Sequence, residues 1–137
     1  DAVLLIASVL TRSECVQLTK TAHDLDMEVL LEIHDEDELS RLHPEVDMLG
    51  VNNRNLGTFH TTVENSFRLI AQMKAEAAGR GKQAPLLVSE SGLSDVETVR
   101  QLREAGFRGF LIGETFMKTE DPGESLHRFI QELNKEN

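Results

Sequence analysis

The chain has 137 residues, 39% apolar and 28% charged, proportions ordinary for a soluble globular domain. Its formal net charge of −10 argues against nucleic acid or an anionic membrane as partner, because both recruit basic surfaces. No apolar run approaches the roughly 18 residues of a membrane span, the opening residues do not read as a signal peptide, and the lone Cys15 excludes an intrachain disulfide and fits a reducing cytoplasm.

In chain order, the first predicted strand is Ala2–Ala7, which follows Asp1 with no lead-in, so the chain reads as an excised piece. Thr11-x-x-Glu14 then matches a capping box, in which hydroxyl and carboxylate satisfy two otherwise unpaired backbone donors. Cys15 falls in that helix and is expected to be a half-buried structural thiol. The second strand is Glu28–Ile33, and Asp35 with Glu38 repeats the capping signal in a weaker form. The third is Val46–Asn52, followed by a box at Thr61-x-x-Glu64. The small, polar stretch Ala75–Gln83 ends that helix. Despite Gly79 and Gly81 it is not a phosphate loop, because it precedes a strand rather than following one. The fourth strand, Pro85–Glu90, leads to a box at Ser94-x-x-Glu97. The fifth, Gly109–Gly113, leads to a short helix over Glu114–Lys118. Asp121-Pro122 supplies an N-cap with proline at the first helical position. The last helix carries Leu126, Phe129, Ile130 and Leu133 at helical spacing.

Most of the strand candidates are nearly continuous apolar runs, the pattern of parallel strands buried on both faces. Alternation with helices and right-handed crossovers turns them into a curved parallel sheet. A complete (β/α)8 barrel needs about 250 residues, so residues 1–137 are expected to form a single domain that is part of a TIM barrel, five parallel strands with flanking helices. Such a piece has two open edges and an uncovered apolar inner face, which favour a homo-oligomer.

In parallel α/β sheets chemistry gathers beyond the carboxyl ends of the strands. Side chains two apart share a face, so three strands end in a polar group on a common side: Glu32, Asn52 and Glu90. Their convergence on one mouth is the expectation; the alternative is that each caps a loop or pairs with a nearby base. Ser91 and Gly92 follow the fourth strand, and Gly113 and Glu114 the fifth. Two glycine turns after successive strands match the phosphate-binding pattern of such barrels, although two plain tight turns would look the same. Ser91 lacks the His and Asp context of a nucleophile. The His34-Asp35-Glu36-Asp37-Glu38 run suits a first helical turn, and His23, His43, His60 and His127 show no metal-ligand spacing. Neither a metal nor a cofactor is expected.

Four blocks, Val29–His34, Leu49–Leu56, Leu87–Gly92 and Phe110–Met117, resemble the indole-3-glycerol-phosphate synthase family in order and spacing. The similarity runs the whole length, from the fourth strand of that barrel to its last helix; Gly50-Val-Asn-Asn-Arg-Asn-Leu56 with Ser89-Glu-Ser-Gly92 is its specific part. The resemblance implies a carboxy-lyase of tryptophan biosynthesis. Such an enzyme closes the indole ring of 1-(2-carboxyphenylamino)-1-deoxyribulose 5-phosphate with loss of carbon dioxide and water. It implies catalytic roles for Glu32, Asn52 and Glu90, with Glu32 orienting a catalytic lysine. Arg54 would join the substrate site, Leu4, Ile6, Leu56 and Phe59 would wall the aromatic ring, and Ser91, Gly92, Gly113 and Glu114 would cradle the phosphate. It also implies that the general-acid lysine and two further catalytic residues lie N-terminal to this chain. Lys20, Lys74, Lys82, Lys118 and Lys135 all fall on predicted helices or loops, so the chain alone is expected to be inactive. Rival readings are another phosphate-binding barrel, such as phosphoribosylanthranilate isomerase or a phosphosugar epimerase, and a non-catalytic half-barrel assembly module.

Overall fold

The computed structural model describes residues 1–54, 63–79 and 84–135. Its elements in order are β1 (Ala2–Ile6), a 3-10 turn (Ala7–Val9), α1 (Arg12–Asp24), β2 (Glu28–Ile33), a 3-10 helix (Glu36–Arg41) and β3 (Met48–Asn52). There follow α2 (Glu64–Ala78), β4 (Leu86–Glu90), α3 (Val96–Ala105), β5 (Gly109–Leu111), α4 (Glu114–Met117) and α5 (Pro122–Leu133). Among the described residues the five strands form one parallel sheet in the order β1-β2-β3-β4-β5. Sequential order with right-handed crossovers puts the connecting helices on one side and curls the sheet toward a barrel.

Local signals set the helix starts. Thr11 and Glu14 form the reciprocal capping box, with Oγ1 accepting from Glu14 N at 3.1 Å and Oε1 from Thr11 N at 3.0 Å. Asp35 and Glu38 also form one, though the element they start is 3-10. Asp121 caps α5, with Pro122 following. The Ser94-x-x-Glu97 reading is corrected: α3 is capped by Asp95, whose side chain accepts from Glu97 N. A carboxylate one residue on reaches the same donors and adds a favourable charge at the helix start. Of the Thr61-x-x-Glu64 box, Thr61 lies outside the described residues.

The helix-covered face of the sheet holds the core, with Leu5, Val29, Leu31, Ile33, Leu49, Val51 and Leu87 packed with Leu69, Met73, Val99, Leu102 and Phe107. Full burial of a side chain such as Phe107 contributes about 1.5–3 kcal/mol. Cys15 is fully buried rather than half-buried, and desolvation pushes its thiol pKa up. The expectation that the strands are covered on both faces holds along most of β2 and fails on the inner face of β1, β4 and β5. Leu4, Leu86 and Leu111, which register places on the inner face, are 48%, 44% and 48% exposed. An apolar run reports that a strand belongs inside a barrel, not whether the opposite wall is present.

Candidate active site

The inner face is organised in rows, because residues paired across parallel strands point the same way. Ile6, Glu32, Gly50, Val88 and Gly109 form one row; Asn52, Glu90 and Leu111 form the next toward the carboxyl ends. Glu32 and Glu90 stand on strands separated by β3, and Gly50 lets them meet across it. A Cβ at Gly50 would collide with Glu90 Oε2 and crowd Leu30 Cδ1. Both carboxyls are buried, at 5% and 4% exposure. Burial first, then the hydrogen bond and charge of Glu32, push the Glu90 pKa up to about 9. Glu90 therefore keeps its proton at neutral pH and can act as a donor. Its Oε2 has no hydrogen-bond partner within normal geometry among the described residues. Asn52 completes the trio: its Nδ2 donates to Glu32 Oε1 at 3.2 Å, and its Oδ1 accepts from Arg54 N at 2.9 Å. Behind Glu32, the largely buried His34 ring lies 3.9 Å from Glu32 Oε2 and 3.8 Å from Glu38 Oε2, with neither nitrogen hydrogen-bonded.

The Gly92 and Gly113 turns are neighbours. Ser91 N donates to Leu111 O at 3.4 Å, and Thr115 Oγ1 donates to Leu93 O at 2.9 Å, tying the two loops together. Ser91 and Gly92 both have left-handed backbone, with φ of 71° and 70°. That region is natural for glycine and costs a serine about 1–2 kcal/mol. Gly113, by contrast, has an ordinary φ of −120°, and a Cβ there would meet nothing within 4 Å among the described residues, whose packing does not require a glycine at that position. Among the described residues, the N–H groups of Gly92, Gly113 and Glu114 find no acceptor.

A cavity of about 770 Å³ connects these parts, lined by Glu32, Asn52, Arg54 and Glu90 on one side and by Ser91, Gly92, Gly113, Glu114 and Lys118 on the other. Glu114 pairs at 3.5 Å with both Arg54 and Lys118, so two cations stand beside the glycine turns with one carboxylate between them. Lys118 sits at the end of the short α4, as expected, and there it lines the cavity. Leu4 and Ile6 do not line this cavity. Ile6 sits beside Glu32 in register and Leu4 lies one row deeper, on the inner face. Leu56 and Phe59 lie outside the described residues.

Sequence reasoning passed over Asn53. The alternation that sends Asn52 inward sends Asn53 away from the mouth, where it is 2% exposed. Its Nδ2 donates to Ser91 O at 2.9 Å and Ser89 Oγ at 3.2 Å. Its Oδ1 accepts from Ser66 N at 3.1 Å and Ser66 Oγ at 2.7 Å, and its backbone N donates to Glu90 O at 2.8 Å. The Ser66 and Ser89 hydroxyls close the network at 2.7 Å. The available signal was a polar pair, Asn52-Asn53, at a strand end, where only one member can face the mouth.

Comparison with known proteins places the chain in a family. A family model described as indole-3-glycerol phosphate synthase matches residues 1–129. An indole-3-glycerol phosphate synthase of Bacteroides thetaiotaomicron is 56% identical over 133 residues, 97% of this chain and 48% of that protein. One from Magnetococcus marinus is 44% identical over 131 residues, 95% of this chain and 46% of that protein. The chain thus spans about half the length of the curated relatives it matches. Among solved structures, 3-keto-L-gulonate-6-phosphate decarboxylase from Vibrio cholerae superposes with a TM-score of 0.63 at 14% identity, covering 98% of this chain and 63% of that one. At that identity the likeness concerns the fold alone. The sequence relatives carry more: this chain belongs to the indole-3-glycerol phosphate synthase family.

Proposed function

We propose that this chain contributes the C-terminal half of a decarboxylating synthase site. That site would close the indole ring of 1-(2-carboxyphenylamino)-1-deoxyribulose 5-phosphate in tryptophan biosynthesis, in the cytoplasm. The observation that carries the reading is the buried Glu32–Glu90 pair, with Asn52 on it, opening into the same cavity as the two glycine turns. Ring closure needs a proton on the ketone oxygen as the aromatic carbon attacks. Loss of water afterwards needs an acid and a base. Glu90 holds a proton at neutral pH and serves as an acid of the second stage. Glu32, steadied by Asn52, orients and exchanges protons with a lysine supplied from the N-terminal part of the barrel. Asn52 and Arg54 hold the substrate, and Leu4, Ile6, Leu56 and Phe59 wall its ring. The phosphate docks in the cradle of Ser91, Gly92, Gly113 and Glu114, on the main-chain amides of the last three, with Arg54 and Lys118 supplying positive charge.

The test gives substrate and a reduced, non-cyclising analogue to the 137-residue chain alone, and substrate to the chain combined with the N-terminal half of the Bacteroides relative. The chain alone should bind the analogue but form no indole, as followed by fluorescence; the combination should form indole. Normal turnover by the chain alone would overturn the division of labour, and failure to bind the analogue would overturn the site.

The exposed inner-face leucines and the free edges of β1 and β5 support a second proposal, self-association of the chain. Sedimentation should show a dimer or larger species, and a stable monomer at high concentration would refute it.

A further inference from the structure

We propose that Asn53 is a positioning residue that aims the Gly92 N–H into the anion site; the inference rests on the phosphate-cradle reading above. The Ser91 carbonyl and the Gly92 N–H belong to one planar trans peptide unit, so they point in opposite directions. Asn53 Nδ2 holds that carbonyl at 2.9 Å from the buried side. The Gly92 N–H is thereby turned the other way, and Gly92 lines the cavity. Ser91 stands at a φ of 71°, a conformation that a serine keeps only where its surroundings over-determine it. Among the described residues, Asn53 is the side chain that holds it there, and Ser91 N makes a long 3.4 Å contact to Leu111 O. Asn53 is itself locked by Ser66, at the start of α2, and by Ser89 on β4. Its amide cannot flip without breaking the Ser66 N–H contact, so the donor is committed to Ser91. One side chain thus ties β3, α2 and the β4 turn into the geometry an anion would meet. Being 2% exposed, it has no need to touch the ligand.

The experiment titrates inorganic phosphate into the isotope-labelled 137-residue chain and follows amide resonances of the parent and of Asn53→Asp. The aspartate keeps an acceptor for Ser66 but presents an oxygen, not a donor, to the Ser91 carbonyl. Expected in the parent is a saturable shift of the Gly92 and Gly113 N–H signals, with the Asn53 Nδ2 protons moving on the same curve. In Asn53→Asp the affinity should fall by about tenfold, the free-energy equivalent of one charge-assisted hydrogen bond, with the circular dichroism spectrum retained. A folded Asn53→Asp that binds phosphate within twofold of the parent overturns the inference. If that variant does not fold, the parent decides: Asn53 Nδ2 signals that stay still while Gly92 moves overturn it, and signals that track Gly92 support it. No saturable shift anywhere in the parent would instead remove the phosphate cradle, and this inference with it.

Discussion

Replacing Glu90 with glutamine should invert the usual effect of disturbing a buried polar cluster, and the sign follows from linkage. The folded chain holds the Glu90 proton up to about pH 9, whereas the unfolded chain releases it near the ordinary value of 4.5. Between those values the folded state binds more protons than the unfolded state, so this group makes stability fall as pH rises, and the fall levels off above about 9. One proton sets a ceiling of ~1.4 kcal/mol per pH unit. Over the four units from pH 5 to pH 9 this amounts to about 5 kcal/mol, because the buried carboxyl stays protonated across nearly the whole window. Glu90→Gln is nearly isosteric, carries no charge and can donate to Glu32. Urea denaturation of both proteins at pH 5, 7 and 9 is the assay. The two should agree to about 1 kcal/mol at pH 5, and the variant should lead by about 5 kcal/mol at pH 9. Parallel pH profiles for parent and variant would show that Glu90 ionises normally and that the pair is not coupled through burial.

Other substitutions probe the rest of the site and its frame. Glu114→Ser leaves Arg54 and Lys118 without their shared carboxylate, and phosphate affinity by calorimetry should rise about two- to fivefold, the range of exposed ion pairs; an unchanged or weaker affinity refutes it. Gly50→Ala places a methyl against Glu90 Oε2 and Leu30 and should destabilise the chain by about 1–3 kcal/mol in urea, whereas a loss below 0.5 kcal/mol would mean that Glu90 has room to move. Thr11→Ala removes half of the α1 capping box and should lower stability by about 1 kcal/mol, with the Cys15 thiol remaining protected from labelling reagents in the folded state.

The sequence by itself determined the order of elements, their parallel pairing and the polar ends of three strands. Those features are local: a buried run followed by a capped helix has few ways to continue, and alternation assigns Glu32, Asn52 and Glu90 to one side. Spacing also found the glycine turns. It could not say that Asn53, one residue from a correctly placed Asn52, would hold the Ser91 turn, since its partners Ser66 and Ser89 are 13 and 36 positions distant. Nor could it tell that Glu90 would hold its proton, because that depends on Gly50 leaving a gap through which a carboxylate from another strand approaches. That Lys118, expected at the end of the short helix, would also line the cavity was not legible for a related reason: a four-residue helix has no periodicity to reveal which way its end faces. Periodicity fixes which face a residue takes. The distances between faces, and with them the charge states, exist only once the sheet has curved.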